Sequence, residues 1–186
     1  MTSATRTALD VTTLTSTEAG LVVVNDFLHR KLTTIDELRA RYHPMAHDPF
    51  TLRTDIVLRL ADGRVESVAE SRAQFMCYRG GVPAPWPQYE LRDDNGDVLA
   101  RLDFAWPELN TWLEVDGKQK YVKHLRDGES VVDVVLREKQ RESMITEITG
   151  WRCIRITWAD LEQPHATVAR ILAMLGVTPR LPSVTS

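Results

Sequence analysis

Hydrophobic positions in the first third of the chain recur every three to four residues, which predicts helices. In residues 18–30 the apolar positions at helical spacing are Leu21, Val24, Phe27 and Leu28. A capping-box sequence at residues 34–37 opens a second short helix, which Pro44 closes. A third helix begins near residues 48–49 and has an apolar face formed by Leu52, Ile56 and Leu60, with Val57 beside them. The pattern predicts a small helical subdomain over residues 18–63, after a disordered, Ser/Thr-rich leader over residues 1–17.

The pattern changes after residue 63, where short segments with a period of two alternate with helical segments. A second capping box at residues 67–70 opens a helix that ends near Tyr78, before two glycines. The elements predicted after this helix are strands over 88–92, 101–105 and 111–116, a helix over 131–149, a strand over 152–158 and a helix over 164–175. The order helix, three strands, helix, strand predicts an α/β fold over residues 64–176, followed by a loose tail over 177–186.

Composition and charge define the broad class of protein. The chain has 186 residues, of which 43% are hydrophobic and 26% are charged, as expected for a soluble globular protein of one domain or of one domain with a small appendage. Its longest apolar run is far shorter than the roughly 20 residues of a membrane helix, and its N-terminus is polar, which predicts a cytoplasmic protein with no membrane partner. Cys77 and Cys153 are expected to be reduced core residues. The net charge of −3 still permits a locally basic groove that binds nucleic acid.

Three acidic residues are predicted to converge on the hairpin formed by the second and third strands. Glu114 and Asp116 are two residues apart on one strand and project from one face, and Asp103 can lie opposite them. Carboxylates at this spacing repel one another unless a cation lies between them, which predicts a Mg²⁺ or Mn²⁺ site. Lys118 and Lys120 follow at once and could orient water or offset charge on a phosphoryl group. The chemistry indicated is phosphodiester hydrolysis.

Other charged residues have two interpretations each. Glu70 is either the last residue of a capping box or an accessory acid of the metal site. Arg137, Lys139 and Arg141 lie on the predicted helix over 131–149. They form either a solvated helix face or, together with Lys118 and Lys120, a surface that contacts phosphates.

The α-β-β-β-α-β order and the acids resemble the PD-(D/E)XK restriction-endonuclease-like nucleases. In that family, acids on the second and third core strands bind magnesium, and a lysine two residues further on assists the attacking water. The resemblance assigns these two acidic roles to Asp103 and Glu114. A strict E-x-K motif would place a lysine at position 116, where this chain has Asp116. The basic group is then Lys118 or Lys120, or residues 116–118 form a D-x-K unit.

A closer resemblance is to an actinobacterial endonuclease-like domain that is related to very-short-patch repair nucleases and occurs in proteins labelled AbiEi-type antitoxins. It covers residues 18–175 and is carried by ES at 70–71, RLDFAWPEL at 101–109, EVDGKQKY at 114–121, EKQRE at 138–142 and GWRCIRITWADL at 150–161. The resemblance implies a metal-dependent endonuclease, with DNA as the expected substrate, in defence or on a mobile element. The alternative is a non-catalytic, antitoxin-like or transcriptional regulator that binds DNA or a partner protein. A homodimer is compatible with either function.

Overall fold

The computed structural model describes residues 2–46, 51–116 and 131–179, and it divides the chain into two compact units, Met1–Phe75 and Met76–Ser186. The division falls inside a helix, whereas the sequence placed the domain boundary between residues 63 and 64. None of the helices in the described ranges combines the length and the apolar character that are needed to cross a bilayer.

The first unit consists of helices that enclose an apolar core. They are α1 (Ala4–Leu14), α2 (Thr17–His29), α3 (Ile35–Tyr42), a 3₁₀ turn (His43–Met45), α4 (Leu52–Leu60) and the start of α5 (Val68–Arg79). The buried core residues are Ala8, Leu9, Leu21, Val24, Leu38, Val57 and Leu58. The capping box that predicts α3 is present, because the Glu37 backbone N–H donates to Thr34 and the Glu37 carboxylate accepts from the Thr34 N–H.

The prediction of a disordered leader over residues 1–17 is wrong, because residues 4–14 form α1. Ser3 caps this helix by accepting a hydrogen bond from the Arg6 N–H. Leu9 is 1% exposed, and the Thr12 hydroxyl lies 2.6 Å from that of Thr54 on α4. Polar composition suggested disorder, but the threonine hydroxyl is satisfied inside the unit, so that its methyl group can be buried with the leucine.

Leu9→Ala tests whether α1 is part of the core. We expect a loss of about 2–5 kcal/mol in the free energy of unfolding, as for other buried leucines. Leu14→Ala on the same helix is the control, since Leu14 is 81% exposed and its loss should change stability by less than about 0.5 kcal/mol. Urea unfolding measures both variants, and equal, small effects would show that residues 4–14 do not pack as described.

The apolar face predicted for α4 is correct at Val57 and at Leu60, which packs against the core, and wrong at Leu52. The helix buries Thr54, Val57 and Leu58, while Leu52 is 74% exposed. The sequence of α4 carries two overlapping apolar stripes, and the neighbouring helices decide which one is buried. Val57 belongs to the core together with residues of α1, α2 and α3, so the stripe that contains Val57 faces inward.

The second unit contains a four-stranded mixed sheet, and this confirms the α/β class. Its strands are β1 (Trp86–Arg92), β2 (Val98–Trp106), β3 (Thr111–Asp116) and β4 (Arg152–Thr157), in the spatial order β1-β2-β3-β4. The first three strands are antiparallel neighbours, whereas β4 runs parallel to β3. Parallel neighbours need a long crossover connection. This connection contains α6 (Val131–Thr149), and α7 (Trp158–Leu161) and α8 (Pro164–Leu175) follow β4.

The connection between β2 and β3 is the tight turn that the sequence predicts. Pro107–Leu109 forms one turn of 3₁₀ helix, and Asn110 ends it in the left-handed region with a φ of 47°. Asparagine tolerates this conformation better than most residues. The turn sets the β2/β3 register, in which Ala105 pairs with Trp112 and Phe104 pairs with Leu113.

One face of the sheet is packed against α6. Trp112 and Ala105 share a buried cluster with Ile145, which comes from the second half of α6. Because side chains alternate along a strand, Glu114, which is two positions from Trp112 on β3, projects from this same face. One of the predicted acids therefore lies on the face that α6 covers.

Candidate functional site

Asp103 and Glu114 lie where the pairing between β2 and β3 ends. The last registered pair is Phe104 with Leu113, and Asp103 and Glu114 are the next residue on each strand. There the Val115 N–H donates a 2.8 Å hydrogen bond to Asp103 Oδ2. The carboxylate of Asp103 thus takes the place of a backbone acceptor at the end of the ladder. The sequence predicted that these two acids lie opposite each other on neighbouring strands, and the structure places each of them one residue beyond the last registered pair.

Glu114 is a buried carboxylate with an arginine beside it. Its side chain is 2% exposed, and Arg141 of α6 donates from Nη1 to Glu114 Oε1 at 3.1 Å. Nη2 of the same guanidinium donates to the Arg101 carbonyl at 2.5 Å, and its Cζ lies 5.9 Å from the centroid of the Trp112 ring. Arg141 therefore neutralises Glu114 and ties α6 to both β2 and β3.

Asp116 is bound by an arginine from the neighbouring parallel strand. Arg155 Nη1 lies 3.1 Å from Asp116 Oδ1 and 3.0 Å from Oδ2, while Nη2 donates to Glu142 Oε2 of α6 at 2.9 Å. Burial by itself would lower the pKa of Arg155, but the hydrogen bonds to Asp116 and Glu142 outweigh burial and raise that pKa above its ordinary value. Arg155 is thus a permanent cation between two acids.

The two arginines change the electrostatic argument for a metal. The sequence interpretation assumed that the acids repel one another unless a divalent cation lies between them. In the structure, Glu114 and Asp116 each have an arginine partner, so the fold balances their charge from within. Among residues 2–46, 51–116 and 131–179, no group of three or more His, Cys, Asp or Glu side chains is arranged to hold a metal ion.

The carboxylates can be compared with the ligands that Mg²⁺ and Mn²⁺ prefer. Both ions prefer carboxylate oxygens and are commonly held by one or two protein carboxylates with water in the other positions. Asp103 and Glu114 supply such a pair from adjacent strands. Asp116 fits less well, because both of its oxygens lie within hydrogen-bond distance of Arg155. The residues that fit the ion are therefore Asp103 and Glu114.

Glu70 occupies the position that the capping-box interpretation predicts. The Glu70 N–H donates to Ser67 Oγ at 3.1 Å, and the Ser67 hydroxyl donates to Glu70 Oε1 at 2.6 Å. The second carboxylate oxygen accepts the Glu66 N–H at 3.0 Å. Both oxygens of Glu70 thus accept hydrogen bonds at the start of α5, and the capping interpretation accounts for them.

The predicted basic residues fall into three groups. Lys118 and Lys120 lie outside the described residues. Arg141 is directed at Glu114, the Arg101 carbonyl and the Trp112 ring. Lys139 is exposed and lines an open surface depression of about 440 Å³ on α6, and Arg137 is half-buried.

Sequence reasoning missed Arg155, although a signal for it was present. Arg155 stands between Ile154 and Ile156 in β4, and both isoleucines are buried. A charged residue between two buried neighbours in a strand projects from the opposite face. In the parallel register Arg155 pairs with Glu114, which places the guanidinium on the acidic face of β3.

Neither cysteine is prepared to bind a metal. Burial raises the pKa of the Cys77 thiol to about 12, and burial, followed by the charge of Glu142, raises the pKa of Cys153 to about 12. Thiols with such pKa values are protonated at neutral pH, whereas metals bind thiolates. The expectation of a buried core residue is confirmed for Cys77, and Cys153 is half-buried.

Comparisons of the chain with protein-family models, with curated proteins and with solved structures gave no match. The fold and the geometry of the acids therefore carry the functional argument, and the family resemblance of the motifs stays a prediction.

Proposed function

We propose that this chain is a divalent-metal-dependent endonuclease with a restriction-endonuclease-like core, which hydrolyses phosphodiester bonds of nucleic acid, with DNA as the expected substrate, in the cytoplasm. The order of elements from α5 to β4, with one parallel strand pair joined through α6, is the order that the resemblance implies. This order supports the proposal but does not by itself establish an activity, since one fold can carry many functions.

The observation that carries the proposal is the position of Asp103 and Glu114 at the point where the β2/β3 ladder ends. The two acids are carried by adjacent strands, and strands suit a site that must keep its geometry. Bound Mg²⁺ or Mn²⁺ would polarise a phosphoryl oxygen and lower the pKa of a coordinated water. In this proposal Asp103 and Glu114 hold the ion, and Lys118 or Lys120 is the basic group. Asp116 anchors Arg155 and is not a ligand.

A non-catalytic regulator is the second candidate, and one observation favours it. Arg141 and Arg155 balance Glu114 and Asp116 without any metal, so the acids can be explained as parts of an ion-pair network that fixes α6 on the sheet. Such a protein would bind DNA or a partner protein and would not cleave. A defence, mobile-element or toxin–antitoxin setting fits either function.

Cleavage assays with a matched pair of variants test the proposal. The native protein is incubated with plasmid, linear and single-stranded DNA and with RNA, in Mg²⁺, in Mn²⁺ and in EDTA. We expect metal-dependent cleavage that Glu114→Gln lowers at least about 100-fold, because a direct ligand should matter at least as much as the groups that orient it. Glu147→Gln, which removes an exposed acid from α6, should cleave like the native protein.

The same assays distinguish the second candidate. Tight binding of nucleic acid without turnover in either metal would favour the regulator. Cleavage that persists in EDTA, or that Glu114→Gln leaves unchanged, would overturn the assignment of the metal site.

A further inference from the structure

Arg141, the arginine beside Glu114, has carboxylates, a backbone carbonyl and an aromatic ring around its guanidinium. Arg141 contacts Glu114 Oε1, the Arg101 carbonyl and the face of Trp112, and Glu138 Oε2 lies 3.9 Å from its Nη1. Glu138 is one turn earlier on the same helix. The guanidinium thus lies between a buried carboxylate on the sheet and a more exposed carboxylate on its own helix.

Arg141 can form an ion pair with either of two carboxylates, Glu114 or Glu138, and these differ in their exposure to solvent. Glu114 is 2% exposed, whereas the side chains of Arg141 and Glu138 are 29% and 35% exposed. Displacement of the partly exposed Arg141 would therefore open Glu114 to a small cation from solvent. Two positive charges next to one carboxylate repel each other. Arg141 in its present position therefore weakens the binding of a cation to Glu114, and a bound cation weakens the ion pair between Arg141 and Glu114.

We propose that Arg141 is a positioning residue that holds Glu114 in place and competes with a divalent cation for its carboxylate, transferring to Glu138 when the cation binds. The proposal rests on the proposed metal site and adds that competition by Arg141 determines how tightly this site binds the cation. Arg155 does not take part in this competition. Its Nη1 lies within hydrogen-bond distance of both oxygens of Asp116, and its Nη2 donates to Glu142.

The test measures binding of Mn²⁺ alone, by calorimetry without nucleic acid, at about pH 8 so that carboxylates are ionised. Arg141→Gln removes the competing charge and is expected to tighten Mn²⁺ binding by about tenfold or more. Lys139→Gln is the control for loss of one positive charge from α6. Lys139 is exposed and solvent screens its charge, so its loss should change the dissociation constant by less than about twofold.

A second variant gives an effect of opposite sign. Glu138→Gln removes the alternative partner of Arg141, so the guanidinium should stay on Glu114 and Mn²⁺ should bind about two- to fivefold more weakly. Glu147→Gln, the loss of an exposed acid further along α6, should leave the affinity unchanged. Since Glu138 is more exposed than Glu114 and lies 3.9 Å from Arg141, this variant is expected to fold even if Arg141→Gln does not.

Failure of this proposal and failure of the nuclease proposal can be distinguished. Mn²⁺ binding that tightens in Arg141→Gln and weakens in Glu138→Gln supports the competition even if no variant cleaves nucleic acid. Unchanged or weaker Mn²⁺ binding in Arg141→Gln, or no effect of Glu138→Gln, overturns the competition even if the native protein cleaves. Absence of Mn²⁺ binding in the native protein and in Arg141→Gln also overturns it.

Discussion

Arg141→Met is expected to lower the free energy of unfolding by about 3 kcal/mol, at the lower end of what loss of one partner of a buried ion pair costs. Glu114 is 2% exposed, so without the guanidinium its carboxylate would lose an ion-pair partner at a place that water hardly reaches. Methionine retains an apolar stem that can cover Trp112, so the loss measures chiefly the missing positive charge. Urea unfolding of the native and variant proteins gives the difference.

The reverse substitution should cost much less. Glu114→Gln leaves Arg141 without its carboxylate, but the arginine side chain is 29% exposed and can be solvated. The double variant Glu114→Gln, Arg141→Met removes both charges and should recover most of the stability lost in Arg141→Met. If Arg141→Met unfolds within about 0.5 kcal/mol of the native protein, the contact with Glu114 contributes little and the buried-pair description is wrong.

The strands and helices of the second unit could be predicted from sequence to a large extent. The bounds of β3, α6 and α8 match the predicted segments 111–116, 131–149 and 164–175, and those of β1, β2 and β4 differ by one to three residues at an end. These elements have clear periods and clear boundaries, such as Gly150 after α6 and Pro164 at the start of α8. Local signals of this kind are sufficient because they act within a few residues.

The first unit shows where local signals fail. Helix α1 is rich in threonine, and α4 has two possible apolar faces, so composition and periodicity alone gave a disordered leader and a buried face of α4 that wrongly included Leu52. In both cases the outcome depends on neighbouring helices, as in the contact between Thr12 and Thr54, which are 42 positions apart. Tertiary contacts of this range cannot be read from a local pattern.

The charge balance of the candidate site could not be predicted for the same reason. The acids were found from their period of two, but their partners Arg141 and Arg155 are 27 and 39 positions away from Glu114 and Asp116. Their positions depend on the crossover through α6 and on the parallel register of β4. Without these partners the acids appeared to require a metal. With them, a metal has to be tested by function and not inferred from repulsion.

Variants of Asp103 can separate a structural role from a catalytic one, because its carboxylate accepts the Val115 N–H and is also a proposed metal ligand. If the acids repelled one another, as the sequence interpretation assumed, Asp103→Asn would relieve this repulsion and raise the melting temperature. With Glu114 already paired to Arg141, little repulsion remains to be relieved. Asparagine also keeps an oxygen that can accept the Val115 N–H. We therefore expect Asp103→Asn to change the free energy of unfolding by less than about 0.5 kcal/mol.

Asp103→Ala removes the acceptor altogether. Val115 is 4% exposed, so its N–H would be left without a partner in a buried strand, at a cost of about 1–3 kcal/mol. Under the proposed function both variants lose a metal ligand, and both should cleave at least about 100-fold more slowly in Mg²⁺. Urea unfolding and initial cleavage rates, measured on the same preparations, separate the two effects. If Asp103→Asn cleaves like the native protein while Asp103→Ala is destabilised, Asp103 only completes the end of the β2/β3 ladder, and Glu114 would have to bind the ion without it.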